Sequence, residues 1–139
     1  MAQISAELKA RIDLACRTAE EFSNLYYKSL DSKRHLMSKY YLDKAVLVWC
    51  GNGACGKENI QKFFEELPST EHTLISMDSQ PVSEAAVGAQ QTVLIESAGH
   101  VKIGEEVSTP FQQSFLITAE QDKWKIVSDC FRLQEPVCV

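Results

Sequence analysis

The chain has 139 residues, 24% of them charged, with a formal net charge of −5. That length predicts one domain over residues 1–139, able to bury about two-thirds of its unfolded surface around a single core. The acidic balance argues against direct nucleic-acid binding, which needs clustered Lys and Arg to neutralise phosphates, and no apolar run reaches membrane-spanning length.

Ser5 offers an N-cap, and after it apolar residues fall at Leu8, Ile12, Ala15, Ala19, Phe22, Tyr26 and Leu30. Steps alternating between four and three predict one long amphipathic helix. Asp31 offers a new cap, and Leu36, Met37, Tyr40 and Tyr41 continue a helical pattern that Asp43 closes, predicting a short second helix turned across the first. The basic cluster Lys28, Lys33, Arg34 and Lys39, diluted by Asp31, reads as a solvated helical face. Residues 45–50 are almost wholly apolar and predict a strand buried on both faces. Gly51-Asn52-Gly53 then signals a hairpin, with Ala54 and Cys55 as the return strand. Gly56 introduces a third helix with Ile60, Phe63, Phe64 and Leu67 on one face, and Pro68 stops it.

Beyond Pro68 the period changes to two. Residues 73–82, 90–103, 111–119 and 124–133 predict four long strands separated by turn clusters at 83–89 and 104–110 and a tight polar turn at 120–123. Helices followed by an unbroken run of strands predict an α+β fold, in which a curved antiparallel sheet wraps helices on one face. The last hairpin is its spine. Trp124, Ile126 and Cys130 share one parity of the final strand, while Val127, Phe131 and Leu133 share the other, with Asp129 and Arg132 among them. Apolar residues on both parities predict a core on one side and a second covered surface, a ligand cavity or a protein partner, on the other.

The five cysteines, Cys16, Cys50, Cys55, Cys130 and Cys138, are odd in number, and three lie in runs that read as core. They are expected to be reduced thiols of a cytosolic or nuclear protein, in keeping with the lack of a signal-peptide pattern or an Asn-x-Ser/Thr acceptor. His35, His72 and His100 are far apart and read as surface residues, and the cysteine spacing does not suit zinc, so no metal is expected. Gly51-Asn52-Gly53-Ala54-Cys55-Gly56 matches a dinucleotide fingerprint letter for letter. The match fails in context, since three strands follow without crossover helices and the acid that would bind ribose, Asp78, is mid-strand. Nucleophilic catalysis has no elbow or reactive-cysteine signature. Asp78 itself stands in an apolar strand, where an acid is costly unless paired, and Arg132 offers a reciprocal charge.

Several blocks carry a resemblance: Leu47-Val48-Trp49-Cys50-Gly51-Asn52, Phe63-Phe64 with Leu67-Pro68-Ser69, Asp78-Ser79-Gln80-Pro81, Phe111-Gln112-Gln113-Ser114-Phe115 and Ser128-Asp129-Cys130-Phe131-Arg132. In that order the chain resembles the nuclear transport factor 2 family, and the segment 15–22 with Tyr26-Tyr27 resembles its export branch. The resemblance implies a cone in which a strongly curved antiparallel sheet wraps three helices, and a small obligate subunit without catalysis or cofactor, active in nucleus and cytoplasm. It implies pairing through the exposed sheet face with the matching domain of a nuclear RNA export receptor, and contact with phenylalanine-glycine nucleoporins as a complex. It assigns Asp78, Gln80, Phe115 and Arg132 to the partner interface and Trp49 and Phe131 to a cavity. Two other readings stay open. A homodimeric carrier of the GTPase Ran would use two acids in the loop that reads Ile103-Gly104-Glu105-Glu106, where Gly104 replaces one. A cone-fold isomerase or dehydratase would need titratable groups converging inside, for which Tyr26, Tyr40, Tyr41 and Asp43 are candidates.

Overall fold

The computed structural model describes residues 4–135, so Cys138 lies outside the described residues. Helix α1 runs Ala6–Ser32, capped by Ser5, whose side chain accepts the Leu8 amide at 3.1 Å. Its buried stripe includes Ala15, Ala19, Phe22, Tyr26 and Leu30, as the periodicity predicts. Asp31 belongs to α1 and does not cap a new helix; the next element is a 3-10 helix, Arg34–Tyr40. Strands β1 (Tyr41–Trp49) and β2 (Asn52–Cys55) form a hairpin on the turn Cys50-Gly51. Both turn residues have positive φ, 48° and 86°, the pattern whose twist suits adjoining antiparallel strands. Helix α2 (Lys57–Glu66) leads into β3 (Thr70–Pro81), the single-turn α3 (Glu84–Val87), β4 (Thr92–Ile103), β5 (Thr109–Glu120) and β6 (Lys123–Leu133).

The six strands make one sheet in the order β2-β1-β6-β5-β4-β3. Neighbours are antiparallel except β1 and β6, which are parallel, so the first strand is laid against the last and the sheet curls around the helices. Register shifts at Leu74/Ser76 and Leu116/Ile117 bend it. Gly99 is necessary at the first of these, because a Cβ there would lie 2.0 Å from the backbone oxygen of Thr73. The bend brings two backbones closer than any side chain allows.

Three expectations need correction. β1 is not buried on both faces: Tyr41, Ala45, Leu47 and Trp49 point inward, while Val46 is 40% exposed, because the helices cover only the concave side. A helical turn does interrupt the strand run, at Glu84–Val87, although none of its residues is buried. Arg34 is not on a solvated face. Its guanidinium donates to the carbonyl oxygens of Leu30, Phe64, Leu67 and Pro68 and to the Thr70 hydroxyl, supplying the cation and donors that the last turn of α2 lacks.

Candidate functional site: the outward face of the sheet

Strand register puts the outward residues into rows. One row runs Asp78, Glu96, Ser114, Cys130 and Val48. On one side of it lies Gln80, Leu94, Leu116, Ser128 and Val46, and on the other Ser76, Ala98, Gln112 and Arg132. Every residue in these rows is exposed or half-buried, while the intervening positions of β4 to β6, such as Ile95, Ser97, Gln113, Phe115, Asp129 and Phe131, are buried against the helices. Leu94, Leu116, Val46 and Val48 therefore form an apolar band that no described helix covers. Charges sit at its margins. Asp78 lies directly opposite Glu96, a like-charge pairing that destabilises an isolated sheet by a few tenths of a kcal/mol to about 1 kcal/mol. Ser114 Oγ donates to Glu96 Oε2 at 2.7 Å, and among the described residues no cation forms a salt bridge with Asp78. Arg132 is three strands away, roughly 14 Å at ordinary strand spacing, so the two opposite charges do not meet within the chain.

Asp78, Gln80 and Arg132 thus share the outward face, but Phe115 does not. It is 0% exposed and packs edge-on against Tyr26 and Phe22, with ring centroids 4.8 and 5.9 Å apart. Its parity in β5 is opposite to that of Ser114 and Leu116, which sets it among the helices. Trp49 and Phe131 are buried, 5% and 1% exposed. Their rings stack on each other at 3.8 Å and 11°, with Phe63 and Phe111 against the outer faces of the pair, so they fill the space they were expected to border.

The interior instead holds a polar network. Asp129, 2% exposed, accepts from the Tyr26 hydroxyl at 2.9 Å, the Tyr41 hydroxyl at 2.6 Å and Gln113 Nε2 at 2.7 Å. Gln113 Oε1 in turn accepts from Tyr27, whose hydroxyl also meets Ser97 Oγ at 2.7 Å. Burial pushes the Asp129 carboxyl up to about 6, and the three hydrogen bonds restrain that rise. Burial first, then the charge of Asp129, raises the Tyr26 and Tyr41 hydroxyls well above their ordinary range, so both stay protonated donors. Nearby, His72 has a fully buried side chain and is no surface histidine; it bonds through Nδ1 to Asp31 at 2.6 Å. Burial alone would raise the Asp31 carboxyl, but bonds from the His72 ring and amide and from Thr70 outweigh it and hold the group below its usual value. Of the expected interior candidates, Tyr26 and Tyr41 converge, whereas Tyr40 bonds Ser29 and Asp43 pairs with Lys57 in solvent. Asp129, Gln113 and Asp31 are absent from the candidates that sequence reasoning supplies. The usable signal is parity, since Asp129 shares its side of β6 with Phe131.

The pattern of the nuclear transport factor 2 (NTF2) domain matches residues 18–133. NTF2-related export protein 2 of Mus musculus is 45% identical over 136 residues, spanning 95% of this chain and 96% of its own length. The chain belongs to the NTF2 family, in its export-protein branch. Solved structures bear out the NTF2 fold. Nuclear transport factor 2 from Cryptosporidium parvum superposes with a TM-score of 0.73 at 19% identity, covering 96% of this chain and 100% of that one. A chain of the C. albicans Mtr2-Mex67 M domain complex gives 0.71 at 16%, covering 86% and 94%.

Within this NTF2 domain the Asp129 network is buried: Tyr26, Tyr41, Gln113 and Asp129 are 0–2% exposed, and three donors converge on the carboxylate. Among the described residues there is no group of three His, Cys, Asp or Glu side chains placed to hold a metal, and no helix is long and apolar enough to cross a membrane. The four described cysteines are unpaired; Cys16, Cys55 and Cys130 are exposed, so the reading of three core thiols does not hold. Cys130 and Cys55 fall on the outward parity, which a strand open on one side presents to solvent.

Proposed function

We propose that this protein is the small, non-enzymatic subunit of a nuclear RNA export heterodimer. Its outward sheet face meets the matching domain of the export receptor, and the pair supports passage of messenger RNA through nuclear pores, in contact with phenylalanine-glycine nucleoporins. The subunit takes no cofactor and works in both nucleus and cytoplasm. What carries this reading is the electrostatics of that face: an acid set opposite another acid, beside an open apolar band. A cation from a partner turns the unfavourable Asp78/Glu96 pairing into a favourable one, and the band gives association its hydrophobic component. The export-protein relative at 45% identity supports the same reading. The interior favours association over catalysis, because the acid with the raised carboxyl, Asp129, is 2% exposed and the bonds it accepts all come from protein donors.

The test is titration of the receptor's matching domain into the natural chain and into Asp78→Arg, with a circular dichroism melt of each. Reversing the charge in a desolvated interface is expected to cost about 3–5 kcal/mol, a loss of affinity of roughly a hundredfold or more, at a melting temperature no lower than that of the natural chain, since Arg opposite Glu96 relieves the like-charge pairing. Arg132→Asp should act in the same direction. Unchanged affinity for Asp78→Arg removes the claim, and affinity lost together with folding makes Asp78 a support of the sheet.

A further inference from the structure

The helix side of the sheet carries a second open feature, on the opposite side from the outward face. In α1, Leu14, Thr18, Glu21 and Leu25 recur at steps of four, three and four, so they follow one stripe of the helix. Leu14 and Leu25 are 44% and 59% exposed. Trp124, half-buried at the start of β6, stands against this stripe. It borders a cavity of ≈ 340 Å³ shared with Phe22, Leu25 and Tyr40, and also a smaller one of ≈ 60 Å³ shared with Leu14, Pro81 and Val93. Through Trp124 the two form one groove along about 16 Å of α1.

The rim supplies the chemistry. Lys39, Lys123 and Lys125 border the larger cavity, against a single acid, Glu21, in a chain whose net charge is −5. The cluster is braced: Lys125 Nζ donates to the Lys39 carbonyl at 2.5 Å, and Lys39 Nζ stands 5.3 Å from the centre of the Tyr40 ring. At the far end lies Arg11, which donates to the Val82 carbonyl at 3.3 Å. We propose that this groove docks a short acidic segment of a partner protein, with aromatic side chains seated against Trp124 and Tyr40 and carboxylates among the lysines. An apolar trough alone would not choose an occupant; three ammonium groups beside aromatic rings select a segment carrying both carboxylates and apolar anchors. About five residues of extended chain span the groove, so anchors four apart point to the same side. Uncharged phenylalanine-glycine segments lack the carboxylates and bind more weakly. Because the groove and the outward face lie on opposite sides of the sheet, both can be occupied together.

The probe is a fluorescein-labelled nonapeptide with two phenylalanines four residues apart among glutamates, titrated with the full chain by fluorescence anisotropy. Saturable binding that weakens with salt is expected. It should weaken about tenfold or more for Lys123→Glu, for Trp124→Ala, and for the same peptide with glutamine in place of glutamate. Lys123 is exposed at the strand start, so its variant reports on charge without touching the core. No saturable binding overturns the proposal, as does equal affinity of the glutamate and glutamine peptides or of the natural chain and Lys123→Glu. Asp78→Arg must bind the peptide as the natural chain does; a loss there would place the site on the outward face instead.

Discussion

Replacing Asp129 by Asn tests the interior network through its pH dependence. Folding raises this carboxyl from 3.8 to about 6, so between those values the native chain holds a proton that the unfolded chain has released. Stability from this group is therefore fully present below pH 3.8 and lost as pH rises through about 6. The group is fully buried, so solvent screening does not dilute the effect, and a gap of about two in pKa corresponds to about 3 kcal/mol. Asp31 runs the other way: its lowered carboxyl contributes stability above 3.8 that is lost as pH falls. A profile of the natural chain alone would mix the two, so the informative quantity is the difference between natural chain and variant. Asn keeps an oxygen for the Tyr26 and Tyr41 donors and removes the ionisation; its amide also meets the Gln113 Nε2 donor in place of an acceptor, a cost that does not vary with pH and so drops out of the pH-dependent difference. In urea unfolding from about pH 4 to about pH 7.5, the natural chain should lose roughly 3 kcal/mol relative to Asp129→Asn, with the change centred between the two pKa values. A difference that stays constant with pH, or one that grows in favour of the natural chain as pH rises, refutes the assignment of Asp129 as a buried acid with a raised pKa.

Gly99→Ala puts a methyl carbon where the Thr73 oxygen stands 2.0 Å away; the strands must separate at the bend, and thermal unfolding should show a loss of about 2 kcal/mol or more, whereas an unchanged melting temperature would contradict the close approach of β3 and β4. Calorimetry with Ran in either nucleotide state should give no micromolar binding, since Gly104 stands where the carrier reading requires a second acid and the Trp49 ring is already stacked on Phe131 at 3.8 Å; micromolar affinity would bring the carrier reading forward.

Much of this fold is legible in the sequence because its signals are local. The alternating steps from Leu8 to Leu30 mark α1, the Gly and Pro punctuation marks α2, and the change to period two marks β3 to β6 within a few residues of their ends. The illegible part depends on pairs distant in sequence. Phe115 belongs to a block that resembles the family's, but only its register against Asp129 and Ile95 in the neighbouring strands decides which face it takes. Arg34 reads as solvated because its acceptors, the Phe64 and Leu67 carbonyls, lie some thirty residues on. The same holds for His72, whose partner is at position 31, and for the parallel pairing of β1 with β6, which no hairpin signal announces. Asp78 and Arg132 stand out in the sequence as charges in apolar strands; their exposure follows from a feature of topology, the confinement of every long helix to the concave side.

The two faces of the sheet satisfy their polar groups in opposite ways, and that contrast bears on function. Inside, Asp129 accepts from Tyr26, Tyr41 and Gln113, and Gln113 passes the chain of bonds to Tyr27 and Ser97; each of these donors has its acceptor within the network, although Ser23 Oγ and His72 Nε2 are buried without a partner beside it. A network closed in this way orders the core, and its low dielectric makes any loss expensive, but it has nothing left to offer a substrate. Outside, Asp78 faces Glu96 with no cation between them, next to an uncovered apolar band. Interaction capacity remains where satisfaction is incomplete, so a partner gains free energy by docking outside the sheet. A ligand entering the cone would first have to break bonds already made. The same reasoning distinguishes the groove on α1, whose lysines and half-buried Trp124 are also incompletely matched, from the interior tyrosines, which are not.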